Sequence, residues 1–103
     1  MNKLGFILMV TLLFSACASY PDSPAQSIAA SYITVETLAE STAIAYQDGH
    51  IDEAEKGRIK GQLNTALRYI ALGEQMLLNG GDPQTYMALA MKLLTEVAEE
   101  LAQ

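Results

Sequence analysis

The 103-residue chain contains no tryptophan, two phenylalanines, one histidine and one cysteine. A lone cysteine excludes an internal disulfide framework and a zinc site built from several thiolates. Six basic residues against 12 acidic ones, a net charge of −6, leave too little positive charge to grip nucleic acid through its phosphates. A Ser-His-Asp arrangement would have to recruit the single histidine, and no serine stands in a Gly-x-Ser-x-Gly turn. No stretch alternates apolar and polar residues as a half-buried strand does. Half of the residues are nonetheless hydrophobic, which excludes disorder throughout.

The chain opens MNKLGFILMVTLLFSAC, with a basic Lys3, an apolar run from Leu4 to Phe14, and small residues Ser15 and Ala16 before Cys17. A run of about 11 apolar residues is too short to cross a bilayer, which takes roughly 20, and has the shape of a secretory signal peptide. The segment Leu13-Phe14-Ser15-Ala16-Cys17 resembles the lipobox of bacterial lipoproteins, with Phe14 where leucine is usual. The resemblance implies cleavage between Ala16 and Cys17, a diacylglycerol on the Cys17 thiol and an acyl chain on its amine, with no other cofactor. An ordinary signal peptide followed by a buried cysteine is the alternative. By the sorting rule that comes with the resemblance, Ala18 in place of Asp implies an outer-membrane anchor facing the periplasm, with surface or plasma-membrane attachment as the other outcomes. Loss of residues 1–16 would remove both phenylalanines and Lys3, taking the net charge from −6 to about −7.

Cys17–Pro24, CASYPDSP, reads as an extended tether of about 20 to 25 Å at full stretch. Three helices are expected after it, over about 25–47, 52–79 and 83–102. In the first, Ile28, Tyr32, Val35, Ala39, Thr42 and Tyr46 recur at spacings of three and four and form one face. Asp48-Gly49-His50-Ile51 breaks the run, and Asp52 with Glu55 forms a capping box for the second helix. There Ile59, Leu63, Ala66, Ile70, Gly73 and Leu77 make a central stripe. Tyr69, Leu72 and Met76 flank it on one side and Leu67, Ala71 and Leu78 on the other, a breadth suited to a helix between two neighbours. Asn79-Gly80-Gly81 ends it, Asp82 caps the third helix and Pro83 enters its first turn. Tyr86, Leu89, Ala90, Leu93, Leu94, Val97 and Leu101 face inward there. The expected fold is an all-α antiparallel three-helix bundle, the alternative being a helical hairpin completed by a partner.

Several residue groups bear on function. Asp48 to Glu55 partly matches a calcium-binding EF-hand loop, but the alignment puts Ile44 and Tyr46 where the ion requires oxygen ligands, so helix termination and capping account for it better. His50 lies among Asp48, Asp52 and Glu53, where one imidazole falls short of the two or more nitrogen or sulfur ligands of a strong transition-metal site. No metal ligand set is therefore assigned. Lys56, Arg58 and Lys60 are the one basic cluster and a candidate patch for anions, or a solvated balance to nearby carboxylates. Gly57 and Gly61 lie four apart opposite Ile59 and Leu63, a flat strip that another backbone can approach. Ile33, Thr37 and Ile44 fall on the outer side of the first helix and complete the candidate partner face. The paired carboxylates Glu99 and Glu100 read as solvated.

These features point to a small, non-catalytic, membrane-anchored lipoprotein that serves the cell envelope as a structural or protein-interaction module. Its partners would be membrane lipid, through Cys17, and an envelope protein or cell-wall component, with no nucleic acid. A short proline-containing tether before an alanine-rich bundle is also similar in architecture to small phage and prophage lipoproteins, which implies a role in lysis or superinfection exclusion. A metal- or ligand-binding lipoprotein using the turn around His50 is the remaining alternative.

Overall fold

A computed structural model describes residues 23–103, so the lipobox and most of the tether lie outside the described residues. Three helices follow one another: α1 (Pro24–Gln47), α2 (Glu53–Leu78) and α3 (Gln84–Ala102). No strand occurs among the described residues. The ends agree with the spacing of the sequence to within a residue or so. Ser23 caps α1, its hydroxyl accepting the Gln26 N–H at 3.3 Å, and Pro24 takes the first turn, where a missing N–H costs nothing.

The two interhelix turns use the same chemistry. After α1, the Gly49 N–H reaches the Tyr46 carbonyl at 3.1 Å and the His50 N–H reaches that of Ala45 at 2.9 Å. After α2, the Gly80 N–H reaches the Leu77 carbonyl at 3.0 Å and the Gly81 N–H reaches that of Met76 at 2.7 Å. Both are Schellman motifs, in which a left-handed residue lets otherwise orphaned carbonyls find donors. Gly49 (φ +78°) and Gly80 (φ +81°) supply that residue without the steric cost a Cβ would carry. The helices restart differently: α2 opens on a capping box, whereas Pro83, expected inside the first turn of α3, stands at its N-cap position without a side-chain cap bond, and Asp82 supports it from one residue earlier. The Asp52 carboxylate accepts the Glu55 N–H at 2.8 Å while Glu55 accepts the Asp52 N–H at 3.3 Å, and Asp82 accepts the Gln84 N–H at 3.0 Å.

Contacts across the chain fix the antiparallel order. Tyr32 near the start of α1 donates to Glu74 near the end of α2, and Arg58 near the start of α2 donates to Glu100 near the end of α3. Each helix touches both others, with α2 packed most extensively and α1 meeting α3 along a narrower seam. The described residues thus close into a three-helix bundle.

The interior is a continuous cluster in which Ile59, Ile70, Leu94 and Val97 are fully buried, with Leu38 and Leu63 against them. Along α2 the buried residues are Ile59, Leu63, Ala66, Ile70 and Gly73, the stripe that the spacing indicates. On α1 the inward face is rotated from the expected one. It consists of Ile28, Ser31, Thr34, Val35, Leu38 and Thr42, while Ala39 is exposed and Tyr32 and Tyr46 lie at the edge. The physical reason is that a small hydroxyl donating its proton to a carbonyl of its own helix offsets much of the cost of leaving water. Ser31 donates to the Ser27 carbonyl at 2.8 Å, Thr34 to Ala30 at 2.9 Å and Thr42 to Leu38 at 2.6 Å. Positions 28, 31, 35, 38 and 42 then follow the three-four alternation of a bundle seam. Ile51, in the first turn, is also part of the core.

At the α2–α3 turn the side chains of Pro83 and Met87 close on Gly73. A Cβ at Gly73 would stand 3.1 Å from the Met87 sulfur and 3.6 Å from the Pro83 Cβ, so this glycine lets the start of α3 pack directly on α2.

Candidate functional sites

The acidic turn around His50 is built from residues already engaged in the fold. Asp52 and Glu55 cap α2 through the reciprocal bonds described above. Glu53 accepts the Tyr46 hydroxyl at 2.6 Å, and the Lys56 ammonium stands 3.8 Å from Glu53 and 3.9 Å above the Tyr46 ring. Those contacts clamp the end of α1 to the first turn of α2 by a charge-assisted hydrogen bond and a cation–π contact. The hydrogen bond to Glu53 holds the Tyr46 hydroxyl above its ordinary pKa, since the neutral phenol donates and a phenolate would face the carboxylate charge. His50 itself is exposed. Among the described residues, no three His, Cys, Asp or Glu side chains are grouped so as to hold a metal ion.

The basic cluster of α2, Lys56, Arg58 and Lys60, is divided rather than pooled. Lys56 leans toward α1, Arg58 reaches the opposite way to Glu100 at 2.6 Å, and Lys60 is exposed. Positions two apart on a helix point to different sides, so Arg58 is separated from Lys56 and Lys60, which are four apart and share a side of α2. The second Glu100 oxygen is buried with no hydrogen-bond partner among the described residues.

The candidate partner face divides in the same way. Ile33 and Ile44 are 58% and 52% exposed on the outer side of α1, and Thr37 between them is half-buried, its hydroxyl donating to the Ile33 carbonyl at 3.0 Å. Gly57 and Gly61 are exposed on α2, with nothing within 4 Å of where a Cβ would be. Space for a close approach therefore exists at both glycines.

A further apolar surface lies where the sequence pattern points inward. Leu72, Met76 and Leu89 are 40%, 39% and 39% exposed and Leu78 is 79% exposed, all in the second half of α2 or the first turns of α3. Tyr69 and Tyr86 stack beside them, ring centres 6.5 Å apart and planes 28° from parallel. The signal available in the sequence was the position of these residues at the margins of the α2 stripe, Leu72 and Met76 on one flank and Leu78 on the other.

Cys17 and Ala16 lie outside the described residues. No described helix is long and apolar enough to cross a membrane. Compared with protein families, curated proteins and solved structures, the chain matches none.

Proposed function

We propose that the chain is a lipid-anchored envelope protein, acylated on Cys17, whose helical bundle acts by binding another macromolecule. The observation that carries this reading is the convergence of Lys3, the Leu4–Phe14 apolar run and the small residues Ser15 and Ala16 on the one cysteine of the chain. One acyl chain holds a protein to a bilayer only marginally, but each further buried methylene adds about 0.8 kcal/mol, so two or three chains make the anchor effectively permanent. An outer-membrane position, with the bundle facing the periplasm, belongs to the same proposal.

The bundle supports a binding role better than a catalytic one. Its buried side chains are aliphatic, or are hydroxyls that donate to their own helix, and Asp52, Glu53 and Glu55 of the His50 turn are engaged in caps and clamps. What it presents outward is the Ile33–Ile44 side of α1 and the bare Gly57–Gly61 strip of α2. Expression of the native chain and of Cys17→Ser in a Gram-negative host, followed by membrane fractionation, tests the anchor. Native protein in the outer-membrane fraction with the variant displaced from it supports the proposal; both proteins in the soluble fraction refute it.

A further inference from the structure

The two ends of the bundle differ in chemistry. One end gathers the start of α1, the end of α2 and the start of α3, as the Tyr32–Glu74 bond and the approach of Pro83 to Gly73 establish. Leu72, Met76, Leu78 and Leu89, four of the six exposed large hydrophobic residues among the described ones, belong to this end, and Ile33, next to Tyr32, lies toward it on α1. The opposite end holds most of the charge, including Asp48, Asp52, Glu53, Lys56, Lys60 and Glu99, and is acidic on balance.

The apolar end is also the one from which the chain runs back to Cys17. Six peptide steps separate Cys17 from Ser23, a reach of at most about 20 Å. The far end of α1 lies about 36 Å further on, at 1.5 Å per residue over 24 residues. A lipid anchor at Cys17 therefore keeps the leucine-rich end close to the bilayer and lets the acidic end stand away from it. Exposed leucine and methionine gain free energy by leaving water for the acyl boundary, and Tyr69 and Tyr86 are amphipathic rings of the kind that settle at headgroup level. An anionic lipid surface would in addition repel the far end, with its larger number of carboxylates, more than the collar end, where Glu74 and Asp82 are the acidic residues.

We infer that Leu72, Met76, Leu78 and Leu89 form a collar that rests on the lipid surface to which Cys17 is anchored, holding the bundle with its Asp48–Glu55 end outward. This orientation rests on the acylation of Cys17. It leaves the Gly57–Gly61 strip, which lies toward the acidic end, free to meet a partner away from the bilayer.

The test uses the full acylated chain, in which the Cys17 thiol is consumed by its lipid, so an introduced cysteine is the only thiol that takes a fluorophore. Leu78→Cys and Leu72→Cys label the collar, while Gln47→Cys and Lys60→Cys label the far end. All four positions are exposed, so the labels leave the core intact. Each protein is reconstituted into phosphatidylethanolamine–phosphatidylglycerol vesicles with and without bromine-substituted lipid. The collar labels are expected to be quenched at least about two-fold more than the far-end labels. Equal quenching at both ends, in protein that floats with the vesicles, overturns the orientation and leaves the anchor standing. Protein that carries no lipid on Cys17 and stays in the aqueous fraction overturns both. Collar labels that remain in water on vesicles but become shielded when envelope extract is added assign the collar to a protein and overturn its contact with lipid.

Discussion

The Arg58 guanidinium donates to the Glu100 carboxylate at 2.6 Å, tying the first turns of α2 to the last turn of α3 across 42 positions of sequence. Partly exposed ion pairs contribute little, so Arg58→Ala is expected to cost about 0.5 to 1 kcal/mol. Urea denaturation of Arg58→Ala, Glu100→Gln and the double variant checks this. The double variant should lose less than the sum of the two, because both single changes remove the same bond.

Glycine substitutions should separate open from closed positions on one helix. Gly57→Ala and Gly61→Ala place a methyl group where nothing stands within 4 Å, and each should stabilise the bundle by about 0.5 to 1 kcal/mol. Gly73→Leu, facing Met87 and Pro83, should destabilise it by about 1 to 3 kcal/mol. Thermal midpoints of the three variants test both signs. If the Gly57–Gly61 strip is where a partner's backbone docks, the two stabilised variants should bind that partner more weakly.

Core and collar leucines should respond differently to truncation. Leu94→Ala and Ile59→Ala remove fully buried side chains and are expected to cost about 2 to 5 kcal/mol each, a large share of the stability of so small a domain. Leu78→Ala, at a position 79% exposed, should change stability by less than about 0.5 kcal/mol. Chemical denaturation of the three variants measures the contrast.

Alkaline pH should weaken the bundle through two tyrosines. Burial first and Glu74 second raise the Tyr32 pKa, while the hydrogen bond to Glu53 is the main cause for Tyr46, so both hydroxyls hold their protons more tightly folded than unfolded. Above the ordinary value of 10.0 the folded state binds more protons than the unfolded one, and stability falls as pH rises. Their contribution is complete below that pH and is lost as pH passes through the raised values. Thermal midpoints of native protein and of Tyr32→Phe/Tyr46→Phe should therefore converge as pH climbs above 10.

The α2 stripe was legible because its inward residues are aliphatic and recur at regular spacing, and the turns because Gly49, Gly80 and the Asp52–Glu55 pair carry specific backbone chemistry. The face of α1 was not, since Ser31, Thr34 and Thr42 look polar in sequence and become core residues only through bonds to their own helix. The Arg58–Glu100 pair depends on which helix ends meet, and local spacing carries no record of that. Leu89 shows the reverse error: it fits the apolar pattern of α3 but lies 39% exposed. Of the candidate sites, the Ile33, Ile44, Gly57 and Gly61 positions are exposed as their spacing indicates, and the division of the basic residues emerged only from the packed bundle.

Intact-mass measurement of the chain recovered from a Gram-negative host tests the central claim most directly. The account predicts a protein that has lost residues 1–16 and carries lipid mass on its N-terminal Cys17, with Cys17→Ser showing no lipid. A native protein with a free Cys17 thiol and residues 1–16 still attached would contradict it.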